Sequence, residues 1–169
     1  DTAVESAGEV LQRARELTVQ ANNDTLNASN RSNIAKEIRQ LHDQLFNLAN
    51  TRDGDGEYLF AGFQSNTQPF VHNGTTSSQI DYKGDQGQRL IKAGPTLDVA
   101  VGDPGTDVFG VDPGDTNKGV FAMLNDLAKT LEDSPTTLHG DLATAMQDLD
   151  QGLDSLNATR TTTGRNTPD

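Results

Sequence analysis

The sequence contains no cysteine and no tryptophan, and it has no long apolar run. Without cysteine there are no disulfides, no thiolate metal ligands and no cysteine nucleophile. With six phenylalanines, two tyrosines and a hydrophobic fraction of 33%, the composition suits an elongated bundle better than a globule with a deep pocket. No apolar stretch approaches the roughly 20 residues that cross a bilayer, and no secretory signal pattern is present. We therefore expect no membrane partner.

Basic residues are also scarce, with 13 Lys and Arg against 25 Asp and Glu and a net charge of −12. Nucleic-acid binding needs clustered positive charge, so the composition argues against DNA or RNA as a partner. The imbalance is greatest between Asp98 and Asp154, where Lys118 and Lys129 are the only Lys or Arg. We interpret this region as a solvated acidic surface.

Four segments carry apolar residues at alternating steps of three and four, which is typical of helices packed side by side at a shallow angle. Asn27 or Ser29 can cap the second helix, and Ser134–Pro135 suits the start of the fourth. The apolar positions are Val4, Ala7, Leu11, Ala14, Thr18 and Ala21; Ile34, Ile38, Leu41, Leu45 and Leu48; Val120, Leu124, Leu127 and Leu131; and Leu138, Leu142, Ala145, Leu149, Gly152 and Leu156.

The composition changes between Asp53 and Asp115, where glycine, proline and aromatic residues concentrate and short apolar runs alternate with turn signals. This pattern predicts a small antiparallel β unit of four to six strands. The predicted fold is α+β: an elongated antiparallel bundle of about four helices with an inserted β domain. Residues 1–63 and 113–169 would form a discontinuous helical rod with a β-hairpin at 56–63, and residues 64–112 the insert.

The clearest motif is the loop that follows the second helix. Asp53, Asp55 and Glu57 suggest a calcium loop, but the sixth position is Tyr58 and the twelfth is Gln64, where an EF-hand needs glycine and glutamate. We interpret the segment as a helix stop and hairpin turn whose glycines adopt positive φ. The residues assigned to this turn, and to a candidate subunit contact, are Arg52, Asp53, Gly54, Gly56, Tyr58, Phe60 and Gly62.

No catalytic, cofactor-binding or metal-binding residues are predicted, and the chain is not expected to be an enzyme. His42, His72 and His139 lack metal-ligand spacing, and His42 lies off the apolar stripe of its helix, which suggests a surface position. A second carboxylate-rich loop at residues 103–115 is interpreted as solvated turns, although the sequence leaves open whether it binds an ion.

Residues 10–23 resemble the first core helix shared by flagellins and the flagellar hook-associated protein 3 family, and residues 34–41 resemble the helix that follows. Residues 50–62 resemble the Asn-Thr-Arg-Asp-Gly-x-Gly-x-Tyr-Leu-Phe-x-Gly signature of the junction family, where flagellins usually continue differently. Residues 82–85 and 102–109 are also similar. Near the end, residues 164–166 read Gly-Arg-Asn where that family has Gly-Ala-Arg-x-Asn.

The resemblance implies a structural subunit of the bacterial flagellum that joins hook to filament outside the cell, after export through the flagellar channel. Its partners would be copies of itself, hook-associated protein 1 and flagellin, with an export chaperone recognising a terminal segment. The chain is expected to be a monomeric core fragment without the family's two terminal segments, and to need no cofactor. The alternatives are a flagellin subunit and, from another class, an extracellular calcium- or ligand-binding module.

Overall fold

The computed structural model describes residues 2–23, 26–74, 79–87, 89–102, 104–112, 119–133 and 138–165. Within these ranges the chain forms five helices and four strands. The helices are α1 (Thr2–Ala21), α2 (Ala28–Ala49), α3 (Gly105–Phe109), α4 (Val120–Asp133) and α5 (Leu138–Arg165), and the strands are β1 (Phe70–His72), β2 (Ile80–Tyr82), β3 (Arg89–Gly94) and β4 (Leu97–Gly102). The predicted α+β class is confirmed.

The four long helices form an antiparallel bundle in which each helix has two neighbours. α1 packs against α2 and α5, and α4 packs against the same two helices from the opposite side. An exposed ion pair crosses each of three of these seams: Arg13–Glu37, Arg15–Asp150 and Arg39–Glu132, each at 2.8 Å. Exposed pairs of this kind contribute little stability, so they mark the register of the helices more than they hold them together.

The bundle is stabilised by the apolar stripes that the sequence predicts. Leu11, Ile38, Leu124 and Leu149 are among the buried residues, one from each long helix. The predicted cap is also present, since the Asn27 side chain accepts a hydrogen bond of 2.8 Å from the Asn30 backbone N–H. The Ser134–Pro135 helix start lies outside the described residues.

Gly152, one of the stripe positions of the fourth predicted helix, lies at a crowded point of the bundle. A Cβ at this position would lie 3.2 Å from Val120 Cγ1 and 3.4 Å from Leu11 Cδ1. The missing side chain therefore lets α5 approach α1 and α4 closely. Gly140, on the first turn of the same helix, has open space around it.

The strands among the described residues between α2 and α4 form two separate antiparallel hairpins, not one sheet. β1 pairs with β2 in the register Phe70↔Tyr82, and β3 pairs with β4 with irregularities after Arg89 and after Lys92. The contacts of β3 and β4 are chiefly with each other. Two elements differ from the prediction: residues 105–109 are helical, and the described residues 56–63 form turns with no strand pair of their own.

An aromatic cluster joins the first hairpin to the bundle. The Phe70 ring lies 5.4 Å from the Phe109 ring, 5.3 Å from the Phe121 ring of α4 and 5.2 Å from the Tyr82 ring, measured between centroids. Phe60 packs edge-on against Phe109 at 5.2 Å. Because aromatic pairs add to the energy of simple burial, this cluster fixes the hairpin and the following loop on the end of the bundle where α2 finishes.

His42 is not the surface residue that its helical position suggested. Its side chain is only 12% exposed, and its ring packs edge-on against Phe121 at 5.6 Å. Nδ1 lies 3.5 Å from Asp43 Oδ1, whereas buried Nε2 has no hydrogen-bond partner among the described residues. Burial lowers the pKa of His42, with Asp43 opposing this effect. The prediction failed because the aromatic cluster covers a part of α2 that lies off its apolar stripe.

Candidate subunit-contact loop

The loop at residues 50–65 starts where α2 ends, and Asn50 ties it to the first hairpin. The Asn50 side-chain amide donates to the Phe70 carbonyl oxygen at 2.9 Å, and its oxygen accepts from the Phe70 N–H at 3.0 Å. One side chain thereby satisfies both backbone groups of the first residue of β1. This double hydrogen bond positions the hairpin on the helix end.

Asp53 organises the turn that follows. Its Oδ1 accepts hydrogen bonds from the N–H groups of Asp55, at 2.8 Å, and Glu57, at 3.0 Å. The Asp53 backbone N–H in turn donates to the Glu57 carbonyl oxygen at 2.8 Å. The Asp53 carboxylate thus accepts hydrogen bonds from its own turn. Among the described residues, no group of three or more His, Asp or Glu side chains is arranged to hold a metal ion.

The two glycines of this turn have different conformations. Gly56 has φ of 81°, a value that favours glycine because an L side chain is strained there. Gly54 is not among the positive-φ glycines, and a Cβ on it would meet nothing within 4 Å. The expectation that both glycines adopt positive φ is therefore wrong for Gly54.

Arg52 and Tyr58 close the base of the turn. Their backbones form an isolated antiparallel bridge, the Arg52 guanidinium lies 4.5 Å from the centre of the Tyr58 ring, and Nη2 donates to the Tyr58 hydroxyl. The bridge is what the structure has in place of the predicted hairpin. A guanidinium stacked on a ring in this way is stabilised by the charge distribution of the ring.

Gly62 and Asp85 hold the loop against the end of β2. Gly62 has φ of 66°, and a Cβ there would overlap the Asp85 carboxylate. Asp85 Oδ1 accepts from the Phe63 N–H at 2.7 Å and from the Gly87 N–H at 2.9 Å, while the Asp85 N–H donates to the Ala61 carbonyl oxygen at 3.1 Å. These three bonds fix the backbone on both sides of Gly62.

Tyr82 also stabilises the contact between the 50–65 loop and Asp85. Its hydroxyl lies within hydrogen-bonding reach of the carbonyl oxygens of Phe60, at 3.2 Å, and of Asp85. Burial raises the pKa of Tyr82 to about 12, so the hydroxyl stays protonated and can donate.

The loop presents a different aromatic residue from the two that the sequence suggested. Tyr58 and Phe60 are buried, whereas Phe63 is 64% exposed and was not singled out. Its ring lies over Gly87, where any Cβ would overlap it. The sequence could not show which of Phe60 and Phe63 is exposed, because both are phenylalanines next to a small residue. Of the seven predicted residues, Arg52, Gly54 and Gly56 are exposed.

A groove with an apolar floor runs between α1 and the last turns of α2, at the end of the bundle where the 50–65 loop begins. Val10 and Leu41 form its floor with half-buried Leu48, while Glu9 and Gln44 are exposed along it. The groove has a volume of about 570 Å³. A separate groove between α4 and α5 is lined by Asp126, Asp133, Asp141 and Asp148 among others, and it belongs to the acidic region of the sequence.

Residues 1–65 match the family model of the bacterial flagellin N-terminal helical region. Over 150 residues the chain is 31% identical to flagellar hook-associated protein 3 of Escherichia coli, a match that covers 83% of this chain and 46% of that protein. It is 30% identical over 124 residues to the protein of the same name from Salmonella typhimurium, covering 68% and 38% of the two chains. The chain thus spans about half or less of the length of these relatives.

Solved structures share the fold. FlgL of Xanthomonas campestris superposes with a TM-score of 0.84 at 21% identity, covering 98% of this chain and 85% of that one. The flagellar junction protein FlgL of Legionella pneumophila superposes with a TM-score of 0.79 at 19% identity, covering 98% and 88%. The resemblance to flagellar hook-associated protein 3 that the sequence predicts is confirmed by these comparisons.

Proposed function

Because its sequence resembles flagellar hook-associated protein 3 along most of its length, we propose that this chain is part of a structural subunit that joins the flagellar hook to the filament. The observation that carries the proposal is the 31% identity over 150 residues, which extends through the loop signature at 50–62 and the hairpins beyond it. The subunit would lie outside the cell, in the flagellum. It would act by its shape and its contacts, without catalysing a reaction.

The bundle supplies the stiffness that such a role requires. Four antiparallel helices share one apolar core, and the aromatic cluster joins that core to the 50–65 loop. A rod of this kind can transmit force along its axis while its surface contacts neighbouring subunits. We propose that those neighbours are copies of the same protein, hook-associated protein 1 on the hook side and flagellin on the filament side, and that a terminal segment of the full-length protein binds an export chaperone.

A flagellin subunit is the second candidate. It is favoured by the match to the flagellin family model over residues 1–65 and by 38% identity over 60 residues to a flagellin of Clostridium tyrobutyricum. That second match covers only 36% of this chain and 16% of the flagellin. The region that matches hook-associated protein 3 is much longer, which is why the junction role is preferred.

Complementation separates the two candidates. The full-length protein that contains this chain is produced in a strain that lacks its own hook-associated protein 3 and, in parallel, in a strain that lacks flagellin. We expect filaments and swimming to return in the first strain only. Restored filaments in the second strain alone would identify a flagellin, and failure in both strains with normal secretion would overturn the flagellar role. A strain carrying the empty vector is the control.

A further inference from the structure

His42 is a titratable side chain buried where α2, α4 and the first hairpin meet. Its side chain is only 12% exposed, and its ring packs edge-on against Phe121 of α4 at 5.6 Å. One turn further along α2, the Phe46 ring lies 4.7 Å from the ring of His72 in β1. Because residues four apart lie on the same face of a helix, one face of α2 contacts both α4 and the hairpin. Two histidines therefore flank the same joint.

The surroundings of His42 suit a neutral ring and disfavour a charged one. A neutral ring can carry its single N–H on Nδ1, which lies 3.5 Å from Asp43 Oδ1. A protonated ring adds a second donor at Nε2, and this buried atom has no hydrogen-bond partner among the described residues. The Asp43 side chain is 77% exposed, so solvent screens most of its attraction for a charged ring. A positive charge on His42 would therefore be buried without adequate compensation.

The charged and titratable groups around His42 come from each element that packs against it. Burial is the main cause that lowers the pKa of His42, Asp43 opposes it, and positive charge on His72 of β1 and on Arg39 of α2 adds to it. From α4, Phe121 contributes an uncharged ring, and Glu132 pairs with Arg39 at 2.8 Å. The neutral imidazole is thus the form that fits the packed hairpin.

We propose that His42 is an acid-sensitive latch, a side chain that keeps the first hairpin packed on the bundle only while it is neutral. The hairpin is the element that moves, because β1 and β2 have three residues each and a two-stranded hairpin is marginally stable by itself. The long helices share the apolar core of the bundle, whereas local opening follows the weakest set of contacts. Release would bring water to the His42 ring and uncover the ring of Phe70, which contacts Phe121.

Protons favour the released hairpin because His42 has the higher pKa when its ring is solvated. Below the ordinary histidine value of about 6.5, the ratio of released to packed hairpin should rise by at most about tenfold per pH unit. The rise ends below the lower pKa of the packed state, and above about pH 7 the hairpin should stay packed. In acid the chain would thus present an apolar cluster that it covers at neutral pH. This inference is independent of the flagellar role, since it concerns the folded chain alone.

Nuclear magnetic resonance of the chain tests the latch, because protonation and packing can be followed at single residues. The His42 ring signals report its own charge, and the nuclear Overhauser effect between the Phe70 and Phe121 rings reports that the hairpin is packed. As the pH is lowered from about 8 to about 5, we expect this contact to weaken in step with the protonation of His42. The amide signal of Leu124, in the bundle core, should persist throughout.

Substitutions separate the latch from a general loss of stability in acid. His42→Gln keeps a polar side chain that does not titrate, so the contact between Phe70 and Phe121 should persist to about pH 5. His72→Gln removes a charge that opposes protonation of His42, so the His42 ring should take up its proton at higher pH. His139→Gln, at an exposed histidine of α5, should change neither result.

Two results would overturn the inference. One is a hairpin that remains packed at about pH 5, whether or not His42 has become charged. The other is acid release that is unchanged in a His42→Gln variant whose unfolding midpoint at neutral pH matches that of the unsubstituted chain. If His42→Gln does not fold, the titration of the unsubstituted chain still decides, because packing and protonation are measured in the same sample.

Discussion

The helical bundle and the 50–87 region are stabilised by different kinds of contact. The bundle depends on many interchangeable apolar side chains, and its exposed ion pairs add little. The 50–87 region depends on a few specific polar groups, since Asn50, Asp53 and Asp85 each bind two backbone groups at defined positions. The first kind tolerates substitution as long as volume and pattern are kept, whereas the second kind does not.

The largest effect is expected where the two regions meet. Phe70→Ala removes a fully buried ring that contacts Phe109, Phe121 and Tyr82, so it should lower the free energy of unfolding by about 3–5 kcal/mol. Urea denaturation followed by circular dichroism measures this. Phe63→Ala is the matched control, since an exposed phenylalanine should change stability by less than about 0.5 kcal/mol. Similar losses of stability for both variants would contradict the description of Phe70 as a core residue and of Phe63 as an exposed one.

Three glycines of the 50–65 loop test how strictly its backbone conformation is fixed. Gly62→Ala combines strained φ with overlap of the Asp85 carboxylate and should cost about 1–3 kcal/mol. Gly56→Ala has strained φ but open space, so about 1–2 kcal/mol is expected. Gly54→Ala should be neutral within about 0.5 kcal/mol. Thermal unfolding of the three variants should rank them in this order, and a Gly54 variant as damaged as the Gly62 variant would show that the turn is described wrongly.

Two glycines of α5 test whether the bundle follows simple helix propensity. Gly140→Ala should raise the free energy of unfolding by up to about 1 kcal/mol, because alanine is the better helix former and the space is open. Gly152→Ala should gain less, since its Cβ would lie 3.2 Å from Val120 Cγ1 and force a small shift. Denaturant midpoints of the pair measure the difference. An equal gain at both positions would rule out close packing at Gly152.

The smallest effect concerns pH and His42. Because burial lowers the pKa of His42 in the folded state, the unfolded chain takes up this proton first as the pH falls. Stability should therefore decrease as the pH falls from the ordinary histidine value of about 6.5 toward the lower folded pKa, and be unaffected by this group above it. Asp43, Arg39 and His72 are the charged or titratable groups that act on it.

His42→Gln should remove that part of the pH dependence, measured as the slope of unfolding free energy against pH. His139→Gln is the matched control, because it makes the same substitution at an exposed histidine of α5. If the His42 variant keeps the full slope, another group is responsible.

The bundle could be predicted from the sequence because its information is periodic. Leu11, Ile38, Leu124 and Leu149 lie on stripes that any helix of this pattern would bury. The 50–87 region could be predicted only in part. The turn at Asp53 follows from local side-chain chemistry, but Asp85 reaches back to Phe63 across 22 residues, and no local pattern indicates such a bond. His42 was misplaced for the same reason, since Phe121 covers it from a distant segment.

Electron cryomicroscopy of flagella built with the full-length protein tests most directly our proposal that this bundle is part of a structural subunit between hook and filament. We expect density for the four-helix bundle and its hairpins in a short zone where the hook ends and the filament begins. The same density repeated along the whole filament, or absent from the junction of flagella that are otherwise complete, would contradict it.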